Sequence, residues 1–345
     1  MTAQPAHPEL GFYTLAGAPK TPKDMLDELR HAETLGLGSA FISERFNTKE
    51  AGALTGAAVA ATTHLNIITA ATNHTTRHPL VTASWASTLH FLSDGRFSLG
   101  LGRGIEAMFR AYGMPMATTQ SLEKFAALMR QLWNGETVFN YSDVTGSYPV
   151  LRLDPEFSLP IPLSITAFGP DTLEMAGRAY DNVILHTFFT DETTSRAVKI
   201  VKESAERAGR DPQSVKVWSC FATIGSHISP ELQLKKTVGR LATYLQAYGD
   251  LMVRTNNWDP AVLKKFRDDE FVRTFPGALD AKATPSELER VAQLIPDEWL
   301  APSATGTPAQ CVAAIRNQFS LGCDGVIMHG ATPTELEPIV TAYSS

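Results

Sequence analysis

Short apolar runs alternate with longer amphipathic segments along the whole chain. The runs are rich in aliphatic residues, which is typical of buried parallel strands. The segments between them repeat apolar positions every three or four residues, which predicts helices with one buried face. The runs that we interpret as strands are 10–15, 39–43, 65–71, 97–101, 163–166, 182–186, 215–224 and 325–328. The pattern therefore predicts eight strands that alternate with helices.

Several predicted helices carry clear start signals. Thr21 precedes Pro22, which predicts an N-cap followed by proline at the first helical position of a helix that ends at Gly36. Capping boxes at 307–310 and 332–335 predict two further helix starts. The other predicted helices are 51–62, 79–92, 121–133, 170–179 and 191–208.

This order of elements predicts the fold class. Eight strand–helix units imply a parallel sheet with right-handed crossovers, and eight is the number at which such a sheet closes. The prediction is an α/β fold, a (β/α)8 TIM barrel. An open doubly wound sheet is the alternative, but 15–18 lacks the Gly-x-Gly-x-x-Gly spacing typical of that fold. We expect one domain over 1–345, with insertions at 135–162 and 230–300.

Composition and charge narrow the possible partners. The chain of 345 residues has 30 basic and 36 acidic side chains, a net charge of −6, so we expect no nucleic-acid or membrane partner. Its 3 cysteines form no Cys-x-x-Cys pair, which favours a reducing compartment. No apolar stretch approaches the roughly 18 residues of a membrane span, and 1–9 has no apolar signal core. We therefore expect a cytoplasmic protein.

Two loops with glycines follow predicted strands, where a barrel of this kind carries its chemistry. Glycine lets backbone approach a ligand closely, and the second loop opens a helix whose N-terminus attracts phosphate. Tight turns and ordinary caps explain the same patterns equally well. The candidate ligand-binding residues in the two loops are Gly102, Arg103, Gly104, Ala167, Phe168, Gly169, Pro170 and Asp171.

Histidines also follow several predicted strands, namely His74, His186, His227 and His329. No His-x-His pair stands at a strand end, so we expect no metal site, and a metal-dependent hydrolase is only a minor alternative. One of these imidazoles could serve as an acid or base near neutral pH. They are therefore candidates for proton transfer rather than metal binding.

Glu44 and Arg45 are adjacent charges at the end of the second predicted strand. If both point into the barrel mouth, each shifts the pKa of the other. The alternative is a solvated loop. We keep both residues as candidate catalytic groups.

The motifs at the strand ends form an ordered set: 39–44, 69–73, 76–79, 93–97, 100–104, 167–170 and 321–327. Together they resemble the luciferase-like monooxygenase family, and more closely its branch that uses the deazaflavin coenzyme F420. The resemblance covers most of the chain except the two insertions.

The resemblance implies a flavin-like ring in the barrel mouth, from F420 or alternatively from FMN. It also implies a non-proline cis peptide behind the ring, which falls at Ala70–Ala71 here, with Asn73 close by. The two glycine loops would hold the ring and the phosphate tail. Arg103 is then a candidate partner for phosphate.

Two positions depart from the family pattern. Many F420-dependent members have a histidine where this chain has Arg45. Several have a glutamate directly after the glycine loop, where this chain has Ile105 and then Glu106. The resemblance therefore leaves the proton-transfer role to His74, Glu106 or His329.

The sequence thus predicts an oxidoreductase that transfers a hydride between F420 and a small organic substrate. An FMN-dependent monooxygenase is the nearest alternative, and a non-catalytic flavin- or deazaflavin-binding barrel is the alternative of another class. Family members are often dimers, so we expect a homodimer. The aromatic residues of the second insertion either line the entrance to the site or pack the insertion onto the barrel; they include Tyr244, Tyr248, Trp258 and Phe271.

Overall fold

A computed structural model describes residues 5–16, 19 and 21–345. Its strands are β1 (His7–Tyr13), β2 (Leu37–Ile42), β3 (Asn66–Thr69), β4 (Phe97–Leu101), β5 (Val138–Asp143), β6 (Gly146–Leu151), β7 (Leu163–Thr166), β8 (Asn182–Ile184), β9 (Lys216–Gly225), β10 (Ala304–Gly306) and β11 (Gly325–His329). Its helices are α1 (Asp24–Thr34), α2 (Ala51–Ala61), α3 (Pro79–Leu92), α4 (Glu106–Ala111), α5 (Thr119–Trp133), α6 (Pro170–Ala179), α7 (Asp191–Arg207), α8 (Pro230–Leu234), α9 (Arg240–Asn256), α10 (Pro260–Asp268), α11 (Glu270–Thr274), α12 (Leu279–Lys282), α13 (Pro285–Ala292), α14 (Asp297–Leu300), α15 (Pro308–Ser320) and α16 (Pro333–Tyr343).

Eight of these strands close into a parallel barrel, in the order β1-β2-β3-β4-β7-β8-β9-β11. The closure is visible at β1, where Gly11 is in register with Ser39 of β2 on one side and with Ile327 of β11 on the other. The (β/α)8 prediction is confirmed, and the open doubly wound sheet is excluded.

Most helix boundaries agree with the sequence prediction, including both capping boxes at Thr307 and Thr332. The predicted N-cap at Thr21 is wrong. The first helix begins at Asp24 and has no side-chain cap, because residues 21–23 form a separate turn in which the Thr21 hydroxyl accepts from the amide of Lys23 at 3.3 Å.

Several strand boundaries also differ from the prediction, and both β1 and β2 begin and end earlier than predicted. The strand predicted over 65–71 ends at Thr69, because the next peptide leaves the regular ladder. Strand β8 ends at Ile184, so His186 lies in the loop beyond it. Strand β9 reaches Gly225 and pairs there with β10, which the hydrophobic pattern did not reveal.

The inside of the barrel is filled by side chains that come from strands alone or directly follow them. They are Phe41, Ile68, Ala70, Ile184, Trp218, Cys220 and Ile327. The rings of Phe41 and Trp218 meet edge to face, with 5.3 Å between their centroids. Because this cluster closes the barrel, a ligand has room only above it, at the carboxyl ends of the strands.

The two segments predicted as insertions have structure of their own. Strands β5 and β6 form an antiparallel hairpin within the first, and α8–α14 lie within the second. The helices of the second segment share a core in which Trp258 stacks on Trp299, with ring centroids 4.5 Å apart. In the ranges described above, no helix combines the length and apolar character that a bilayer crossing requires.

Candidate functional site

The peptide between Ala70 and Ala71 is cis, as the family resemblance implied. It lies at the end of β3 and bonds to both neighbouring strands. The amide of Ala70 donates to the carbonyl of Ile42 at 2.7 Å, and the amide of Thr72 donates to the carbonyl of Gly100 at 3.0 Å. Residues 70–72 therefore form a fixed surface at the barrel mouth.

Gly102 packs directly against this segment. A Cβ atom at Gly102 would lie 2.9 Å from the Cβ of Ala71 and 2.6 Å from the hydroxyl oxygen of Thr166. A larger residue would push these elements apart, since protein interiors leave no such space. Gly104 has a φ of +73°, a backbone conformation that favours glycine. Both glycines thus have structural reasons to be there, whatever they bind.

Glu44 anchors the same segment through its carboxylate. Its side chain is only 4% exposed. It accepts hydrogen bonds from the hydroxyl of Thr72 at 2.7 Å and from the side-chain amide (Nδ2) of Asn73 at 3.2 Å. The guanidinium of Arg77 pairs with it at 2.6 Å and also reaches the carboxylate of Glu50 at 2.5 Å. With its oxygens engaged in this way, Glu44 is placed to hold residues 70–73 in position.

The N-terminus of α6 faces open space. Gly169 occupies the N-cap without a side-chain cap, and a Cβ atom there would meet nothing within 4 Å. By contrast, α5, α7, α15 and α16 each begin with a threonine that caps the first turn. The unpaired amides of an uncapped helix start attract anionic groups.

Arg103 connects the two predicted ligand-binding loops. Its guanidinium donates to the hydroxyl of Thr119 at the start of α5 and to that of Thr172, 3.3 Å away in the first turn of α6. Arg103 remains exposed despite these bonds. An exposed cation, open backbone amides and two hydroxyl groups therefore meet beside the loop 167–171, which includes Ala167, Phe168, Pro170 and Asp171.

An aromatic cluster lies on the other side of this loop. The ring of Phe168 is 4.5 Å from that of His186, which in turn is 5.0 Å from Tyr244 and 5.3 Å from Tyr248. Both tyrosines come from α9, so the second predicted insertion contributes directly to the barrel mouth. The interpretation that they line the entrance fits their positions, whereas Trp258 packs inside the helical segment.

His329 completes this side of the mouth. Its ring meets that of Tyr13 edge to face at 5.3 Å, and its Nδ1 atom has no hydrogen-bond partner among the described residues. Burial, followed by the charge of Arg240, holds the pKa of His329 well below its usual value. The ring is therefore neutral at physiological pH. Arg45 is exposed and lies within electrostatic reach of His329, Tyr244 and Tyr248.

Two predicted catalytic residues, His74 and Glu106, make their contacts with other parts of the chain. His74 packs its ring 5.2 Å from that of Phe125 in α5, and burial lowers its pKa to about 4. Glu106 is exposed on α4 and pairs with Arg110 one turn later at 2.6 Å. Neither contact reaches Tyr13, His186 or His329.

Sequence reasoning missed several groups near the mouth. Lys49 is 4% exposed, and its ammonium donates to the hydroxyl of Ser43 at 2.9 Å and to the carbonyl of Leu15 at 3.3 Å. Burial, together with the charge of Arg45, lowers the pKa of Lys49 to about 7. Arg77 was also missed as a site residue, and only the motif at 76–79 could have drawn attention to it.

In the part of the chain that the structure describes, no three His, Cys, Asp or Glu residues are grouped so as to hold a metal ion.

Known proteins resemble this chain in sequence and in fold. The 5,10-methylenetetrahydromethanopterin reductase of Methanolobus tindarius is 26% identical over 321 residues, which covers 89% of this chain and 91% of that protein. The coenzyme F420-dependent tetrahydromethanopterin reductase of Methanopyrus kandleri superimposes with a TM-score of 0.81 at 19% identity, over 98% of each chain. An F420-dependent secondary alcohol dehydrogenase in complex with an F420-acetone adduct gives a TM-score of 0.70 at 18% identity, over 99% of this chain and 98% of that one.

At these identities the two solved structures establish the fold alone. The family assignment comes from the sequence, because residues 6–325 match the luciferase-like monooxygenase family. That match includes seven of the eight barrel strands in full and ends at the first residue of β11, and it includes the cis peptide segment and both glycine loops. The chain therefore belongs to the luciferase-like monooxygenase family.

Proposed function

We propose that this protein is an oxidoreductase that transfers a hydride between coenzyme F420 and a small organic substrate. The observation that carries the proposal is the open N-terminus of α6 with Arg103 beside it, at the same barrel mouth as the cis peptide. The helix N-terminus and Arg103 suit the anionic tail of such a cofactor, and the segment of the cis peptide suits its planar ring. The F420-dependent enzymes named above support F420 over FMN.

The donor groups present fit such a cofactor. Gly169 and Asp171 would donate backbone N–H groups to the phosphate and Arg103 its guanidinium, while Pro170, which has no N–H, would set the direction of the first turn of α6. Ala70 and Ala71 would form the surface behind the ring, and Gly102 fixes that surface from below. The Asn73 side chain already donates to Glu44 and accepts from the backbone amide of Thr75, so we propose that it supports the site from behind.

The bound cofactor supplies the two-electron chemistry, and the protein supplies position and polarity. The apolar barrel interior excludes water beneath the reacting groups. Arg45 and His329 border the substrate side of the mouth, and we propose that they contact the substrate. Glu44 would act through the segment it anchors. His74 and Glu106 lie outside this proposed site.

A titration of the purified protein with F420 and, separately, with FMN tests the proposal. We expect micromolar binding of F420, followed by its absorbance and fluorescence, and much weaker binding of FMN. A preference for FMN would instead identify a monooxygenase. Binding of F420 with no hydride transfer to or from any alcohol, aldehyde or ketone tried would favour a non-catalytic barrel. Binding of neither cofactor would contradict the proposal.

We also propose that the protein is a homodimer that pairs through α3. This helix is rich in apolar residues, although Ser84 and Thr88 also lie on its exposed side. Three large apolar side chains on it nevertheless face solvent: Val81 is 57% exposed, Phe91 47% and Leu92 66%. The neighbouring α2 consists almost entirely of small apolar residues. A second copy of the chain would cover this patch.

The double substitution Val81→Lys and Leu92→Lys should convert the dimer into a monomer, because it places four unpaired charges in each symmetric interface. Analytical ultracentrifugation measures the mass in solution. The control is Gln293→Lys, an exposed position on the C-terminal side of α13 that should leave the mass unchanged. A wild-type monomer, or a double variant that still pairs, would refute this interface.

A further inference from the structure

Helix α9 is kinked at the point where it meets the barrel mouth. A π-helical turn, Lys235–Gly239, precedes it, and Tyr248 has non-helical angles of φ −155° and ψ 36° in its middle. Gly249 follows, and a Cβ atom there would lie 2.6 Å from a methyl carbon of Leu263 in α10. Irregular turns of this kind often occur at functional sites. The kink places the Tyr248 ring against that of His186.

The hydrogen bonds of His186 determine where its proton lies. Its Nδ1 atom is 2.9 Å from the carbonyl oxygen of Thr187, which can only accept, so Nδ1 carries the hydrogen. Burial lowers the pKa of His186 to about 4, so the ring is neutral and Nε2 has a free lone pair. Nε2 is 3.0 Å from the hydroxyl of Tyr248. Tyr248 is therefore the donor in this bond.

A hydroxyl that donates in this way keeps its oxygen lone pairs for another donor. The surrounding rings leave few protein groups for that role. Tyr244 stacks on Tyr248 at 5.5 Å between centroids, and Phe168 lies edge-on at 6.1 Å. The charged neighbour Arg240 is engaged with Asp280 at 2.8 Å. No described protein donor is recorded on the Tyr248 oxygen, which lies between the loop proposed to hold the cofactor and the substrate side of the mouth.

From this geometry we propose that Tyr248 exchanges a proton with an oxygen atom of the substrate, and that His186 receives it through Tyr248. The substrate class is accordingly an alcohol and its carbonyl partner. This inference rests on the proposed function, which names the deazaflavin as oxidant.

The proton and electron balance follows from the two hydrogen bonds. The alcohol O–H bond breaks, and its proton joins the Tyr248 oxygen while the proton of Tyr248 passes to Nε2 of His186. The substrate carbon gives up its hydrogen with both bonding electrons to the deazaflavin, and the C–O bond becomes a carbonyl. Carbonyl reduction runs the same steps in reverse. His186 acts only through Tyr248, so it is a positioning residue and relay partner.

Burial opposes a positive charge on His186, and charged and neutral titratable groups from several elements surround the Tyr248–His186 pair. Arg240 on α9 and Arg45 after β2 are cations, while Asp280 on α12 is the facing anion; Cys220 on β9, Tyr244 on α9 and His329 on β11 are neutral at physiological pH. A proton on His186 is therefore transient, as a relay requires. After each cycle the proton leaves by the same path, through Tyr248 to the vacated substrate position.

The test is ¹⁵N NMR of the histidine rings in the full chain with oxidised F420 bound, during a titration with propan-2-ol. We expect the Nε2 resonance of His186 to move in the wild type, because the alcohol donates to the hydroxyl that His186 accepts from. Tyr248→Phe should abolish this response and keep the Kd for F420 within about threefold, since the ring remains. Tyr141→Phe, in the β5–β6 hairpin, is the control and should respond like the wild type.

Each outcome decides one part of the inference. An unmoved Nε2 resonance in the wild type, or an equal movement in Tyr248→Phe, would overturn the relay. A loss of F420 affinity of about tenfold or more in Tyr248→Phe would also overturn it, because Tyr248 would then be a cofactor-binding residue. If the wild type binds no F420, the proposed function fails. The Tyr248–His186 bond is then still tested by comparing the Nε2 resonances of the two cofactor-free proteins.

Discussion

Gly169→Leu should weaken F420 binding by about tenfold or more, a loss of roughly 1.4 kcal/mol, with little change in stability. The φ of −93° suits any residue, and nothing lies within 4 Å of the new Cβ atom, so the fold has room for the side chain. The leucine would occupy the space in front of the open amides of α6, where we place the phosphate. A fluorescence titration gives the Kd, and urea unfolding gives the free energy of unfolding.

The control for this variant is Ala309→Leu. Ala309 is exposed in the first turn of α15, a helix that Thr307 already caps. The same bulk at that helix start should change neither the Kd nor the stability by a measurable amount. Equal F420 affinity in Gly169→Leu and the wild type would remove the start of α6 from the cofactor site.

Arg77→Ala should cost about 3 kcal/mol of unfolding free energy and should also weaken F420 binding. The substitution leaves the carboxylate of Glu44 buried without its charge partner, and Glu44 anchors residues 70–73. Urea unfolding followed by circular dichroism measures the first effect, and F420 titration the second. Adding Glu44→Gln should recover part of the lost stability, because the buried charge is then gone.

Arg178→Ala is the matched control for Arg77→Ala. Arg178 pairs with Glu123 at the same 2.6 Å, but both side chains are more than a third exposed. Solvent screening should limit its cost to about 1 kcal/mol or less. Similar costs for the two variants would show that the Glu44 pair does not hold the mouth together.

The sequence alone predicted the barrel and the loops that surround its mouth. Hydrophobic runs and helix caps are set by residues that are close in the sequence. For that reason α3 and α6 match their predicted bounds. The family resemblance located the cis peptide at Ala70–Ala71, which periodicity alone does not reveal. The loops at 102–104 and 167–171 were both identified, and Arg103 does reach from one to the other.

Contacts between distant parts of the chain were harder to predict. Tyr248 reaches His186 only because α9 packs over the barrel and is kinked there. Glu106 follows a glycine loop in the sequence, yet its helix turns it toward Arg110 and solvent. Arg77 looked like part of a motif, and only the folded chain shows that its partner is Glu44. Such pairings depend on tertiary packing, which local patterns do not encode.

The most direct test of the proposed function is a crystal structure of the protein with F420 bound. The account predicts the deazaflavin ring on the surface formed by Ala70 and Ala71. It also predicts phosphate oxygens within about 3 Å of the backbone nitrogens of Gly169 and Asp171 and of the Arg103 guanidinium. A phosphate bound elsewhere, or a ring outside the barrel mouth, would contradict the account.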